Sequence, residues 1–204
     1  FPTRRSSDLK ELLPKFAMVQ KNTGIYGYCW GKLLKKELIE EVYFTNGLKL
    51  AEDFDFYLQI YPKVDTIFFE NNCHYFYLQE AQNSSMLSAD NEIDYKAQLK
   101  INLRYRDFLK KMNSYNEYNR LLVDRILTNY VFFVVYHARR QEISKKVEEM
   151  NQIAYQENIN LKGVGTIQNI ILWCIKNKKG ILAEKLLRIY DILRWFKRKS
   201  RLFL

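Results

Sequence analysis

From about Asp90 to the C-terminus, β-rich runs stop and apolar residues recur at three- and four-residue intervals. Ile93, Ala97, Ile101, Tyr105 and Phe108 make one stripe. Leu121, Ile126, Tyr130, Phe133 and His137 make a second, opened by Ser114. Residues 144–158 and 166–177 give two more, parted by Gly163 and Gly165, and Gly180 precedes a last one. Side chains that return to one side of the backbone at this period define amphipathic helices, so 91–204 is predicted to be mainly α-helical.

Residues 10–90 have a different texture. Leu9, Leu12, Leu13, Phe16 and Val19 keep helical spacing but are interrupted by Pro14, which lacks the N–H a helix interior needs. Residues 22–31 read as an aromatic-rich loop. Residues 33–41 read as a short amphipathic helix with Lys35, Lys36, Glu37, Glu40 and Glu41 outward. Asn46-Gly47 marks a turn, and a short helix over 54–61 is stopped by Pro62. Thr66–Glu70 and residues 74–78 are β-rich runs bounded by turn residues, and are predicted to be strands. The reading is thus a mixed α/β piece followed by a helical one. With aromatics at 15% and only 7 Gly and 3 Pro in 204 residues, the composition argues against a disordered or fibrous chain.

The opening Phe-Pro-Thr-Arg-Arg-Ser-Ser-Asp-Leu matches, residue for residue, the translation of a short-read sequencing adapter, TTC CCT ACA CGA CGC TCT TCC GAT CTN. Residues 1–9 are therefore expected to be an adapter artefact, to be kept out of fold reasoning, with upstream coding sequence lost. The alternative is a natural basic segment in which Ser6, Ser7 or Asp8 caps the following helix.

The net charge of +10 is uneven. Residues 176–204 hold ten Lys/Arg against Glu184 and Asp191, whereas the remainder is nearly balanced. A tail of one sign concerns a partner surface rather than the fold. Leu182, Leu186, Ile189, Leu193 and Phe196 line one side of this tail, with Ile192 and Trp195 beside them. Two readings stay open for 180–204: a basic amphipathic helix on an anionic membrane surface, or a helix packed on its predecessors with a solvated basic rim. Cys29, Cys73 and Cys174 are far apart and in no Cys-x-x-Cys pattern, which argues against a disulfide scaffold or zinc site and fits a reducing compartment. No apolar run approaches a membrane span; the longest, 121–136, carries Asp124 and Arg125 near its start. His74 and His137 lack metal-spaced partners and read as structural.

Glu52-Asp53-Phe54-Asp55-Phe56 is the densest candidate site. Two adjacent carboxylates precede a helix, where free N–H groups favour negative charge. Asp53 is either an N-cap or a positioned general base. Glu52 and Asp53 diverge as neighbours do, so they are not a glycosidase pair. Asp53-x-Asp55 resembles a metal-binding D-x-D, but Asp55 falls within the helix among aromatic neighbours that suit packing. Tyr26-Gly27-Tyr28-Cys29-Trp30-Gly31-Lys32-Leu33 is either a stacking surface for a sugar or base, or an anchored core loop. Tyr75 and Tyr77 share one side of the predicted strand, and that side could line a cleft.

Taken in order, Trp30-x-Lys32-Leu33, Lys35-Lys36-Glu37-Leu38-Ile39, Val42-Tyr43-Phe44, Gly47-Leu48 and Glu52-Asp53-Phe54-Asp55-Phe56, followed by Thr66–Glu70 and His74-Tyr75-Phe76-Tyr77, resemble the second half of a family 2 glycosyltransferase of the GT-A fold. The resemblance spans about residues 24–88. It implies an α/β remnant of a Rossmann-like nucleotide-diphospho-sugar transferase domain with few strands at 10–90, followed by the helical region at 91–204. The kin implied are bacterial enzymes of capsule, exopolysaccharide and other cell-surface polymers. It further implies that Asp53 is the catalytic base, that Glu52 is an acceptor or structural contact, and that Trp30 and Lys32 lie near the donor–acceptor cleft, with Tyr75 and Tyr77 as further substrate contacts. Where the family often has a basic residue or His after the aromatic strand, Leu78, Gln79, Glu80, Ala81 and Gln82 stand here.

The resemblance implies an inverting transfer from a nucleotide sugar to a glycan or lipid-linked acceptor, with Mn2+ or Mg2+ held in the intact enzyme by an upstream D-x-D that this chain does not contain. The expectation is a chain inactive alone, cytoplasmic, with the option of peripheral attachment to the inner face of the cell membrane. The alternative is a basic helical protein that binds nucleic acid or a membrane surface without catalysis. Concentration of the charge in one tail and the lack of a recognised motif disfavour nucleic acid.

Overall fold

The computed structural model describes residues 4–70 and 93–200, with side chains over 7–70 and 93–193. The chain forms two compact units, residues 1–123 and 124–204. The first unit therefore takes in the helix that follows residue 90, where the sequence reading drew its boundary.

In the first unit, β1 (Arg4–Asp8) pairs antiparallel with β2 (Thr66–Glu70), from Arg4 opposite Glu70 to Asp8 opposite Thr66. The segment that matches the adapter translation thus supplies a strand. Ladder bonds use backbone groups, so almost any sequence without Pro can fill such an edge. Asp8 then accepts the Lys10 N–H at 2.8 Å and caps α1 (Leu9–Leu12). A tight turn at Leu13–Lys15, with Pro14 at its first positions, leads into α2 (Phe16–Thr23). This break separates the Ala17 N–H from the Leu13 carbonyl, which accepts the Phe16 N–H instead, and Asn119 bonds to both groups. Its Oδ1 accepts the Ala17 N–H at 2.9 Å, and its Nδ2 lies 2.7 Å from the carbonyls of Leu13 and Ser114.

Residues 33–41 do not form the helix expected of them; only Lys36–Leu38 makes a single tight turn. Leu33 is fully exposed and no residue of that turn is buried, so nothing offsets the cost of nucleating so short a helix. The next helix, α3 (Glu52–Ile60), continues into a turn at Tyr61–Lys63 that contains Pro62. After the undescribed stretch, Asp94 accepts the N–H groups of Lys96 and Ala97 and starts α4 (Tyr95–Lys111). The core gathers around Phe16, whose ring stacks on Tyr26 at 4.1 Å and meets the edge of Tyr61 at 5.4 Å, with Tyr105 and Phe108 tilted against it. Leu9, Leu13, Ile60, Leu99, Ile101 and Leu109 complete it, all buried.

Helix α5 (Glu117–Tyr136) begins in the first unit and continues into the second. Asn116 opens it by accepting the Asn119 N–H at 3.0 Å, in place of the expected Ser114. Its buried apolar positions are Val123, Leu127, Val131, Phe132, Val134 and Val135, whereas no residue of the predicted stripe is buried and Leu121 and His137 are exposed. The helix is apolar over most of its circumference, so periodicity alone does not choose its inner side. In the second unit follow α6 (Ile143–Gln156), α7 (Thr166–Lys176) and α8 (Gly180–Ser200), with α8 packed on α6 and α7. Val147, Met150, Ile171, Leu172, Cys174, Ile175 and Ala183 make its interior. Residues 74–78, predicted as a strand and holding His74, Tyr75 and Tyr77, lie outside the described residues, as does Cys73. Among the described residues the secondary structure is helical apart from one two-stranded sheet, and no single helix is long and apolar enough to cross a membrane.

Candidate functional site

The site is built where the 24–33 loop meets the start of α3. The loop leaves α2 through Gly24, whose φ of +66° is open to glycine at little cost. A Cβ there would lie 2.5 Å from the Tyr28 ring. Gln20 Oε1 accepts the Tyr26 N–H at 3.0 Å, and the Tyr61 hydroxyl donates to the Tyr26 carbonyl at 2.6 Å. With the Tyr26 ring stacked on Phe16, the first half of the loop is anchored in the core.

Beyond Tyr26 the chain turns outward. The rings of Tyr28 and Trp30 stack 4.8 Å apart at 18°, and both are exposed. The segment is thus an anchored core loop up to Gly27, followed by an exposed aromatic pair.

Helix α3 starts from Ala51, which takes a left-handed conformation at φ 60° and makes no side-chain cap. Asp53 is not the N-cap. It stands one residue inside the helix, and its Oδ2 accepts the backbone N–H of Cys29 at 3.0 Å. The carboxylate therefore joins the helix start to the aromatic loop, and among the described residues its Oδ1 accepts no hydrogen bond. Glu52 is the first residue of the helix and is half-buried.

Lys32 lies next to this junction. Its Nζ donates to the Tyr28 carbonyl and sits 4.1 Å from the centroid of the Tyr57 ring. Burial lowers the Lys32 amine to about 8, while the Asp53 carboxylate works in the opposite direction. Cys29 is pushed up to about 12, first by burial and then by the same carboxylate. Tyr57 rises to about 12, mainly through burial. The structure thus brings Asp53, Lys32 and Trp30 to one loop–helix junction with Glu52 beside it. Tyr75 and Tyr77 lie outside the described residues.

Sequence reasoning gave Asp55 only a packing role. Asp55 is completely buried, accepts the Thr45 hydroxyl at 2.6 Å and pairs with Arg104 of α4 at 2.5 Å. This pair fixes α3, and with it Asp53, against α4. Neither Thr45 nor Arg104 was singled out, since the ion pair closes 49 residues apart.

A hard divalent cation requires several oxygen ligands converging on one point. Asp53 turns to the Cys29 amide and Asp55 to Thr45 and Arg104, so the Asp-x-Asp does not converge. Among the described residues no three or more His, Cys, Asp or Glu side chains are gathered to hold a metal ion. Asp53 and Asp55 therefore do not form a divalent-cation site, and the resemblance places the cation elsewhere, on an upstream D-x-D. Compared with known proteins, the chain matches no family model, no curated protein and no solved structure.

Proposed function

We propose that residues 24–70 form the acceptor side of an inverting glycosyltransferase, with Asp53 as the base. The observation that carries this reading is the tethering of Asp53: one carboxylate oxygen is occupied by the Cys29 N–H, and the other is left to accept a proton. A sugar hydroxyl is a poor nucleophile at neutral pH. Asp53 takes its proton as its oxygen bonds to the anomeric carbon of the donor, and the bond from that carbon to the nucleotide diphosphate breaks, so configuration inverts. Holding the carboxylate on a helix start fixed by the Asp55–Arg104 pair lowers the entropic part of the barrier. The exposed Tyr28–Trp30 pair offers an apolar face for a sugar ring, and Lys32 supplies a donor beside it.

The test on this chain is saturation-transfer NMR with neutral oligosaccharides, combined with calorimetric titration of nucleotide sugars in the presence of manganese. Glycan signals lost in Trp30→Ala but kept in Trp173→Ala, with no micromolar nucleotide-sugar binding, are the expected pattern. Micromolar nucleotide-sugar binding, or glycan contact that ignores Trp30, would overturn the acceptor-side reading.

A further inference from the structure

Helix α8 has two apolar sides, and the second unit covers one of them. Ala183 and Leu187 are buried, and Gly180 lies so close to α6 that a Cβ on it would stand 2.7 Å from the Ser144 Cα. Spaced three, then four residues apart, these positions form the seam with α6. The sequence reading placed Leu182, Leu186, Ile189, Leu193 and Phe196 on one line; Leu186 is half-buried, whereas Leu182, Ile189 and Leu193 face away from the seam. Leu182 is 40% exposed, Ile189 and Ile192 are each 55% exposed, and Leu193 is 62% exposed. Helix α8 thus packs on its predecessors along one side and leaves apolar side chains exposed on another.

The charge around this uncovered side has one sign. Lys178, Lys179 and Lys185, with Ile181 and Leu182, line a shallow hollow of about 330 Å³ at the start of the helix. Of the two acidic residues in 176–204, Glu184 is paired with Arg188 at 2.5 Å, leaving a large basic excess. A second copy of the chain docked here would set one basic tail against another. Nucleic acid would neutralise the charge but offer nothing to four aliphatic side chains. A bilayer of anionic lipid supplies both a hydrocarbon boundary and negative headgroups, and the long stem of Lys185 lets its ammonium rise to that level.

We propose that the outer side of α8 docks on an anionic lipid bilayer, with the helix lying in the headgroup plane. This inference is independent of the glycosyl-transfer reading. The test is flotation of the full chain with vesicles of equal parts phosphatidylglycerol and phosphatidylcholine, against phosphatidylcholine alone. Partitioning at least tenfold stronger on the anionic vesicles is expected. Ile189→Asp with Leu193→Asp should reduce it tenfold or more with far-UV circular dichroism and melting midpoint unchanged. Lys179→Gln with Lys185→Gln, which keeps the apolar side, should reduce it several-fold. Equal binding to both vesicles, binding insensitive to both double variants, or a wild-type dimer abolished by Ile189→Asp with Leu193→Asp would each overturn the proposal. So would tighter binding to duplex DNA that ignores Ile189 and Leu193.

Discussion

The Asp53 carboxylate and the Cys29 amide meet at 3.0 Å across 24 residues of chain, and this bond joins the outer half of the aromatic loop to the start of α3. A carboxylate that merely capped its own helix would leave the loop untethered. One that reaches across brings Lys32 and the Tyr28–Trp30 pair into the same neighbourhood.

Burial first, and then the same carboxylate, raise the Cys29 thiol to about 12 from an ordinary value of 9.0. At pH 9 an ordinary thiol is half ionised and this one about a thousandth ionised, so alkylation at Cys29 should be several hundred-fold slower in the folded than in the unfolded chain. Asp53→Asn should speed it. The linkage has a definite sign: between pH 9 and 12 the unfolded chain releases a proton that the folded chain keeps, so this group's stabilisation falls as pH rises through that window. Mass spectrometry of the Cys29 peptide after timed alkylation provides the rates; equal rates in folded and unfolded chains would refute the assigned environment.

Asp55 and Arg104 should respond asymmetrically. Asp55 is sealed from water while the Arg104 side chain is half exposed. Arg104→Met leaves a buried carboxylate with only the Thr45 hydroxyl and should cost about 3 kcal/mol. Asp55→Leu leaves an arginine that can turn to solvent and should cost less, about 1–2 kcal/mol. Urea unfolding of both single variants and the double variant measures the coupling, and equal single costs would contradict the burial difference.

Asn119 replaces the helix bonds lost at Pro14. Asn119→Ala strands the Ala17 N–H in the core and takes one of its two donors from the Leu13 carbonyl, and should destabilise the first unit by about 2 kcal/mol. Hydrogen exchange at the Ala17 amide should accelerate with it. A change below about 1 kcal/mol in urea unfolding would show that the clasp contributes little.

Tyr105 predicts the opposite direction. Its hydroxyl is buried and has no hydrogen-bond partner among the described residues, next to the rings of Phe16 and Phe54. Tyr105→Phe should keep the packing, remove an uncompensated polar group and stabilise by about 1 kcal/mol. A lower melting midpoint would show that the hydroxyl is satisfied in solution.

These relationships differ in how visible they were in the sequence. Pro14, Pro62 and the alternating run of β2 act locally, so the helix breaks and that strand could be placed from neighbours alone. The long helices likewise declared themselves through repetition. Residues 33–41 misled because their pattern is amphipathic but no core lies under Leu33. Asp53 was ambiguous for a different reason: a cap and a tether share one position at a helix start, and only the location of the Cys29 amide separates them. Arg104 carried no local signal at all, since an arginine between Ile101 and Tyr105 looks solvent-facing until its buried partner is known.

The central claim concerns proton removal by Asp53. It is tested most directly by single-turnover sugar transfer in a longer polypeptide that contains residues 10–204, comparing wild type with Asp53→Asn. The account predicts a rate constant at least a hundredfold lower in the variant, with acceptor affinity within a factor of a few and a melting midpoint close to wild type. Transfer at the wild-type rate by the amide variant would contradict it.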